Sequence, residues 1–434
     1  MKISRAVFYI LIWGIFSLFI PSDSLARIYL DINAPSIERI KVAIPDFKDL
    51  SKKKENPEFA QALPEVLSHD LDMSGYFLSM DKTAFLTKDI PEKTEDIRFR
   101  DWSVIGAELL VVAKYTTFGR SFELEVRLYD VYRGSLIMGK RFLGKSKDYR
   151  EVMHRIGNEI IYRLTGHRGI FLTKMAFVGT ATGRKEIYIS DYDGHNVRRI
   201  TRDNSIALSP RWSPKGKHIL YNSYKDGGPM LYMKNMSSGA VKRLSARKGL
   251  NIGASWTPNG NSIVLTLSHR GNPDIYHIDL TGKIKSRLVD HWGIDVSPTF
   301  SPDGKKIAFV SNRSGSPQIY VRDLEKNQEE RVTFSGKYNT SPTWSSMNRI
   351  AYSGMNEGHF DIFTIKADGS HLRQLTDKNG KNEDPCWSPD GRYIVFSSNR
   401  DGRYHLYIMT ANGQNQRKIT HLKGDQTSPS WASF

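Results

Sequence analysis

The chain contains one cysteine, Cys386, among 434 residues. A lone thiol cannot form an internal disulfide or a multi-cysteine zinc site. G-x-S-x-G does not occur, so the nucleophile elbow of a propeller-bearing peptidase is missing. H-E-x-x-H is also absent, and so are glycine-rich phosphate loops. The 12 histidines are scattered: His154 and His167 lie 13 apart, and His269, His277 and His291 are not at ligand spacing. Asp191-Tyr192-Asp193-Gly194 opens like a calcium loop, but the rest of a ligand set is missing and the segment reads as a turn. No catalytic residue, metal or cofactor is expected. Beyond the amino end no stretch reaches 18 uninterrupted apolar residues, so no later membrane-spanning helix is expected.

What is present is ordinary globular chemistry: 39% hydrophobic, 25% charged and 11% aromatic residues. The length implies two or three domains. Lys and Arg number 63 against 46 Asp and Glu, a net charge of +17. Such a balance raises nucleic acid, anionic membrane or acidic protein partners. The amino end narrows that choice. Lys2 and Arg5 precede the apolar run Ala6–Ile20, followed by Pro21-Ser22-Asp23 and Ser24-Leu25-Ala26. This is the pattern of a secretory signal peptide, with residues 1–26 removed after Ala26. The 15-residue run is short for a bilayer core, which needs about 20 residues. The mature chain from Arg27 is expected to be soluble and exported, which removes nucleic acid as a partner.

Residues 27–167 mix helix and strand signals and read as a small α/β domain. Arg39–Ile44 suggests a strand closed by Pro45. Phe59, Leu63, Val66, Leu67 and Leu71 recur at helical spacing, with Gly75 at the C-cap and Pro64 expected to kink the helix or delay its start. Leu109–Tyr115, Phe122–Tyr129 and Leu136–Phe142 read as strands. A helix is expected from Asp148 to Thr165, ended by Gly166.

From residue 168 onward the chain repeats. Trp212, Trp256, Phe300, Trp344, Trp387 and Trp431 are spaced 44, 44, 44, 43 and 44 apart. Tyr188, Tyr232, Tyr276, Tyr320, Phe363 and Tyr407 share those spacings, as do Ile200, Leu244, Leu288, Val332, Leu375 and Ile419. The one deletion falls where Ser345-Ser346-Met347-Asn348 replaces Ser-Pro-Asp-Gly. A period of this length with several short strands per unit indicates propeller blades. Each unit holds four strands, and the series give six blades. The aromatic series read as packing between blades. The first unit lacks its leading strand, and Ser428–Phe434 supplies an orphan one, so the carboxyl-terminal strand is expected to close the ring.

The segments that lead into each Pro-x-Trp strand should line one mouth of the central channel. They are Asn204-Ser205, Leu250-Asn251-Ile252-Gly253, Gly293-Ile294-Asp295-Val296, Tyr338-Asn339-Thr340, Asn382-Glu383-Asp384 and Asp425-Gln426-Thr427. A polar, concave loop cluster on a rigid ring suits recognition. The charge sits elsewhere: residues 168–434 carry +15 of the +17, and Arg199, Arg243, Arg287, Arg331, Arg373 and Lys418 open the last, outermost strand of each blade. Cations there guard an exposed edge.

The propeller repeat Ser-Pro-x-Trp-Ser-Pro-Asp-Gly resembles that of the TolB family. Leu71–Phe77, Trp102–Val112, and His154–Ile160 with Leu164–Phe171 resemble the amino domain and interdomain linker of the same family. The resemblance covers essentially the whole mature chain. It implies a non-enzymatic periplasmic protein of the Tol-Pal system, monomeric and reaching membranes only through partners. It further implies that the propeller face binds the lipoprotein Pal and the mature amino terminus binds TolA, with other envelope proteins as further partners. Pal-binding residues carried over are Leu250, Asn251, Gly253, Asp295, Val296, Asn339, Thr340, Glu383 and Asp384. The TolA-binding segment corresponds to Arg27, Ile28, Tyr29, Leu30 and Asp31, whose alternation suits strand addition. The alternative is an exported propeller that binds or hydrolyses a small ligand or glycan in its channel.

Overall fold

The computed structural model describes residues 39–87, 91 and 94–434. The expected signal peptide, 1–26, and the segment Arg27–Asp31 lie outside the described residues.

The amino-terminal domain is a mixed sheet with helices packed on it. Its strands are β1 (Ile40–Ala43), β2 (Lys48–Asp49), β3 (Phe77–Ser79), β4 (Leu109–Phe118), β5 (Ser121–Asp130) and β6 (Ser135–Lys145). The order is β3-β1-β4-β5-β6, with β2 beside β4. β1 runs parallel to β3 and β4, while β4, β5 and β6 are antiparallel. Helices α1 (Phe59–Met73), α2 (Phe99–Val104) and α3 (Tyr149–Thr165) complete it. Helix α1 begins upstream of Pro64 rather than after it. Proline lacks the N–H that would bond the carbonyl four residues back. That carbonyl, on Ala60, accepts instead from the Phe47 N–H at 3.0 Å. Helix α3 ends on Gly166, whose left-handed φ of 75° lets its N–H reach the Tyr162 carbonyl at 2.8 Å. Gly157 lets α3 sit close to its neighbours: a Cβ there would fall 2.9 Å from Phe171 and 3.1 Å from Asp70.

The six blades each hold four antiparallel strands, in sequence order and outermost last in blades 2 to 6. Blade 1 is completed by Gln426–Trp431, which pairs with Lys174–Gly179 and sets Trp431 opposite Met175. The ring closes as the repeat arithmetic implies. The Trp series joins blades, as expected. Trp256 Nε1 donates to the Arg211 carbonyl and Trp387 Nε1 to the Thr343 carbonyl, both at 3.2 Å and both in the preceding blade. The Tyr series stacks within blades, as in Tyr352 on Phe363 with centroids 5.5 Å apart. The basic series lies on the outermost strands, where Arg199, Arg243, Arg287 and Lys418 pair with acids.

One apolar cluster runs from α1 and α3 through Phe171 and Tyr192 to Tyr393 and Trp431, so the two domains share a core. Polar contacts grip the end of α1. The Tyr393 hydroxyl donates to the Ser74 carbonyl at 2.6 Å, and Arg417 and Asn415 each reach the Asp72 carbonyl at 3.3 Å.

Candidate partner-binding mouth of the propeller

The innermost strand of each blade starts at one face of the ring and carries the same two devices. The first is a buried polar residue. Ala207, Asn251, Asp295, Asn382 and Gln426 open five of these strands and Asn339 is the second residue of the sixth, and only Ala207 is apolar. Asn339 donates to Gln318 Oε1 of the preceding blade at 2.8 Å, and Gln318 Oε1 also accepts from Thr333 at 2.7 Å. Asn382, Asp361 and Thr376 repeat this triad at 3.0 and 2.6 Å. These residues tie the third strand of one blade to the first strand of the next. A buried amide must have its bonds met, and here the neighbouring blade meets them.

The second device is a β-bulge. In every inner strand the ladder shifts register. At that point Ser209, Gly253, Ser297, Ser341, Asp384 and Ser428 take φ between 51° and 63°. Such a bulge re-aims the strand around the channel. Asp384 is the one carboxylate in this set. It accepts from Ser341 at 3.0 Å and from Ser428 at 2.9 Å, linking three consecutive blades.

The nine residues carried over for Pal therefore fall into two groups. Asn251, Asp295 and Asn339 are at most 1% exposed, so they shape the mouth rather than touch a partner. Asn251 accepts from Ser245 at 2.6 Å and donates to the Arg247 carbonyl at 2.7 Å. Burial pushes the Asp295 carboxyl up, and Arg313, 3.0 Å away, offsets this only in part. Gly253, Val296, Thr340, Glu383 and Asp384 are half-buried on the inner strands of blades 3 to 6, and Leu250 is half-buried just before the blade 3 strand. Glu383 accepts from Tyr404 at 2.6 Å, and burial together with that carboxylate pushes the phenol's pKa up.

The same face carries an aromatic rim that the polar segments concealed. Trp292 and Phe334 are 74% and 73% exposed, in the loops that enter blades 4 and 5. Ile294 and Tyr338 stand beside them, also exposed. Arg331 lies over the Phe334 ring at 4.9 Å. A signal was available: within the repeat, Trp292 is the tryptophan that falls outside the 44-residue series.

The Asp191–Gly194 segment is a turn, with the Gly194 N–H on the Asp191 carbonyl at 3.0 Å. His154, Asp191 and Asp193 come within reach of one another. Their carboxylates already have cations: Lys174 on Asp191 at 2.7 Å and Arg150 on Asp193.

The sequence model of the TolB amino-terminal domain matches residues 28–137, and that of the TolB beta propeller domain matches 161–434. The chain belongs to the TolB family. Two curated relatives, both named Tol-Pal system protein TolB, come from Desulfosudis oleivorans and Geobacter sulfurreducens. They are 40% identical over 209 residues and 37% identical over 192. These matches cover 47% and 44% of both chains, so the chain spans about half the length of the curated relatives it matches. The crystal structure of TolB from Acinetobacter baumannii is 28% identical, with a TM-score of 0.80 over 94% of this chain and 100% of that one. Its TolB architecture, amino domain then propeller, is the one described above.

Proposed function

We propose that this chain is a non-enzymatic periplasmic component of the Tol-Pal system. Its propeller mouth binds Pal, its segment Arg27–Asp31 binds TolA, and the complex supports outer-membrane integrity and envelope constriction at division. The observation that carries the reading is the aromatic rim: Trp292 and Phe334 stand exposed beside the half-buried inner strands of blades 4 and 5. Exposed apolar patches rimmed by polar residues mark interaction sites, and tryptophan is enriched among residues that dominate binding energy. Membership of the TolB family supports envelope proteins as the partners, and Pal and TolA are the ones proposed. Pal binding biases whether the amino-terminal segment is available to TolA, and by linkage TolA biases Pal equally.

The half-buried carboxylates of the blade 6 inner strand, Glu383 and Asp384, are already engaged, Glu383 by Tyr404 and Asp384 by two serines. Glycan hydrolysis ordinarily needs a pair of carboxylates free to act on the sugar, so a partner-binding mouth is the better reading. The test is capture of Pal from a periplasmic extract by the full mature chain. Retention that W292A and F334A weaken supports the proposal, and absence of Pal from the captured fraction refutes it. For TolA, removal of residues 27–38 should abolish binding; unchanged binding would refute that part.

A further inference from the structure

The base of blade 5, on the face opposite the mouth, departs from its siblings. In each blade the residue opening the second strand sits directly opposite the residue ending the third. The pairs are Lys174 with Asp191, His218 with Asn235, Ser262 with Asp279, Lys306 with Asp323, Arg349 with Lys366 and Tyr393 with Thr410. Two blades place opposite charges there, bonded at 2.7 and 3.8 Å. Blade 5 alone opposes two cations, an arrangement that is destabilising by itself. Arg373, on the neighbouring strand, adds a third positive charge. Burial and the Arg373 charge hold the Arg349 pKa below its usual value.

The adjoining turn is altered at the same place. Asp303 and Asp390 occupy the turns of blades 4 and 6, whereas blade 5 has Ser346-Met347-Asn348 and one residue fewer. The acid is gone, and Trp344 is diverted. Its Nε1 donates to Asn348 Oδ1 at 2.9 Å, where Trp256 and Trp387 reach back to the preceding blade. The result is a cleft of about 750 Å³ between blades 4, 5 and 6. Its basic wall holds Lys326, Arg349, Lys366 and Arg373, and none of these pairs with a carboxylate among the described residues. Lys306, Asp323, Gln328, Glu330, Asp368 and Asn412 line it too, so five cations face three acids and the cleft keeps a positive excess.

We infer that this cleft is a binding site for a phosphate-bearing sugar, the phosphate held by Arg349, Lys366 and Arg373 and the hydroxyls by Gln328, Glu330 and Asn412. Guanidinium and ammonium groups suit phosphate oxygens, and the opposed cations Arg349 and Lys366 lose their mutual repulsion when a dianion enters between them. The site lies on the opposite face of the ring from the mouth.

The test is calorimetric titration of the full mature chain with glucose 6-phosphate, inorganic phosphate and glucose. Glucose 6-phosphate should saturate at sub-millimolar concentration, about tenfold tighter than phosphate, and glucose should give no heat. K366D restores the charge pair of the sibling blades. It should weaken glucose 6-phosphate at least about tenfold while raising the melting temperature of the free protein. R373Q should weaken binding as well, and it guards against a folding defect in the first variant. Vesicles of phosphatidylcholine with and without lipid A separate the sources. Capture by lipid A that K366D abolishes assigns a lipid-borne sugar phosphate, and binding of the soluble probe alone assigns a free one. No saturable heat, equal affinity for glucose or for phosphate, or binding indifferent to both substitutions overturns the inference.

Discussion

His154 Nδ1 of α3 lies 2.8 Å from Asp70 Oδ2 of α1, and both residues are at most 2% exposed. Asp70 Oδ1 also accepts from the Tyr192 hydroxyl at 2.5 Å. The other imidazole nitrogen is 3.5 Å from Asp193, which Arg150 also binds. Two acids, a guanidinium and an imidazole thus meet at the junction of both helices with blade 1, and burial pushes the Asp70 carboxyl up despite its bonds to His154 and Tyr192. Breaking a buried pair by removing one partner is costly because the other is left uncompensated, about 3–5 kcal/mol. D70A should therefore destabilise the chain by about that amount, measured by urea denaturation. A loss within error of zero would show that the pair does not join the domains.

The same pair sets a pH dependence. Burial pushes the His154 pKa down, but Asp70 and Asp193 more than offset this, and it ends above its ordinary value. A raised pKa means the folded state holds the proton more tightly. That contribution is fully present below the unfolded pKa, about 6.5, and is lost as pH rises through the folded value. Burial acts on Asp193 in the opposite sense, but His154 and Arg150 leave its carboxyl below the ordinary range. Its contribution is present above the ordinary carboxylate range and is lost as pH falls through that lowered value. Melting temperature should decline from mildly acidic toward alkaline pH in the wild type, and H154Q should flatten that decline. Parallel profiles would assign the slope to other groups.

The closing strand should be indispensable. Trp431 is buried, donates from Nε1 to Thr173 at 2.7 Å and packs in the shared core. W431A should cost about 3–5 kcal/mol, and deletion of 428–434 should exceed this by exposing two strand edges. Thermal melting of both variants checks the point. A cooperative transition at the wild-type temperature after deletion would sink it.

How much of this was legible follows from what repeats. Packing between blades demands a tryptophan or phenylalanine, and stacking within each blade a tyrosine or phenylalanine, at the same strand positions in every unit, so Trp212 to Trp431 and Tyr188 to Tyr407 announced the ring. The long strands and helices of the amino domain carried full periods. Strands β2 and β3, of 2 and 3 residues, and helix α2, of 6, do not complete a recognisable pattern. At the mouth, Asn251, Asn339 and Asn382 suggested recognition, yet they recur in step with the tryptophans because they serve the ring. Trp292, out of step, serves something particular to this surface. The pairing of His154 with Asp70 spans 84 residues and leaves no local trace.

Gly253 offers a conformational test. It occupies the bulge position of blade 3 at φ 63°, and a Cβ there would lie 3.2 Å from the Ser297 nitrogen of the next blade. Serine tolerates the same φ in four other blades, so strain alone is modest. The tight contact adds to it. G253V, β-branched and bulky, should cost about 1–3 kcal/mol and displace the junction of blades 3 and 4. Denaturation midpoints, with Pal affinity as a second readout, check this. Unchanged stability would show that the inner strands adjust freely.

Trp292 and Phe334 separate binding from folding. Both are largely exposed, so truncating either removes little packing and should shift stability by less than about 0.5 kcal/mol. If they anchor a partner at the mouth, each alanine variant should weaken binding by about 2 kcal/mol or more, which is about thirtyfold. T340A, half-buried on the adjacent inner strand, should cost less, because contacts around an anchor chiefly exclude water. Surface plasmon resonance with immobilised Pal measures all three on equal terms. Wild-type affinity in the W292A/F334A double variant would move the contact away from blades 4 and 5. Equal losses in all three would show that the mouth binds through its polar strands and not through its aromatic rim.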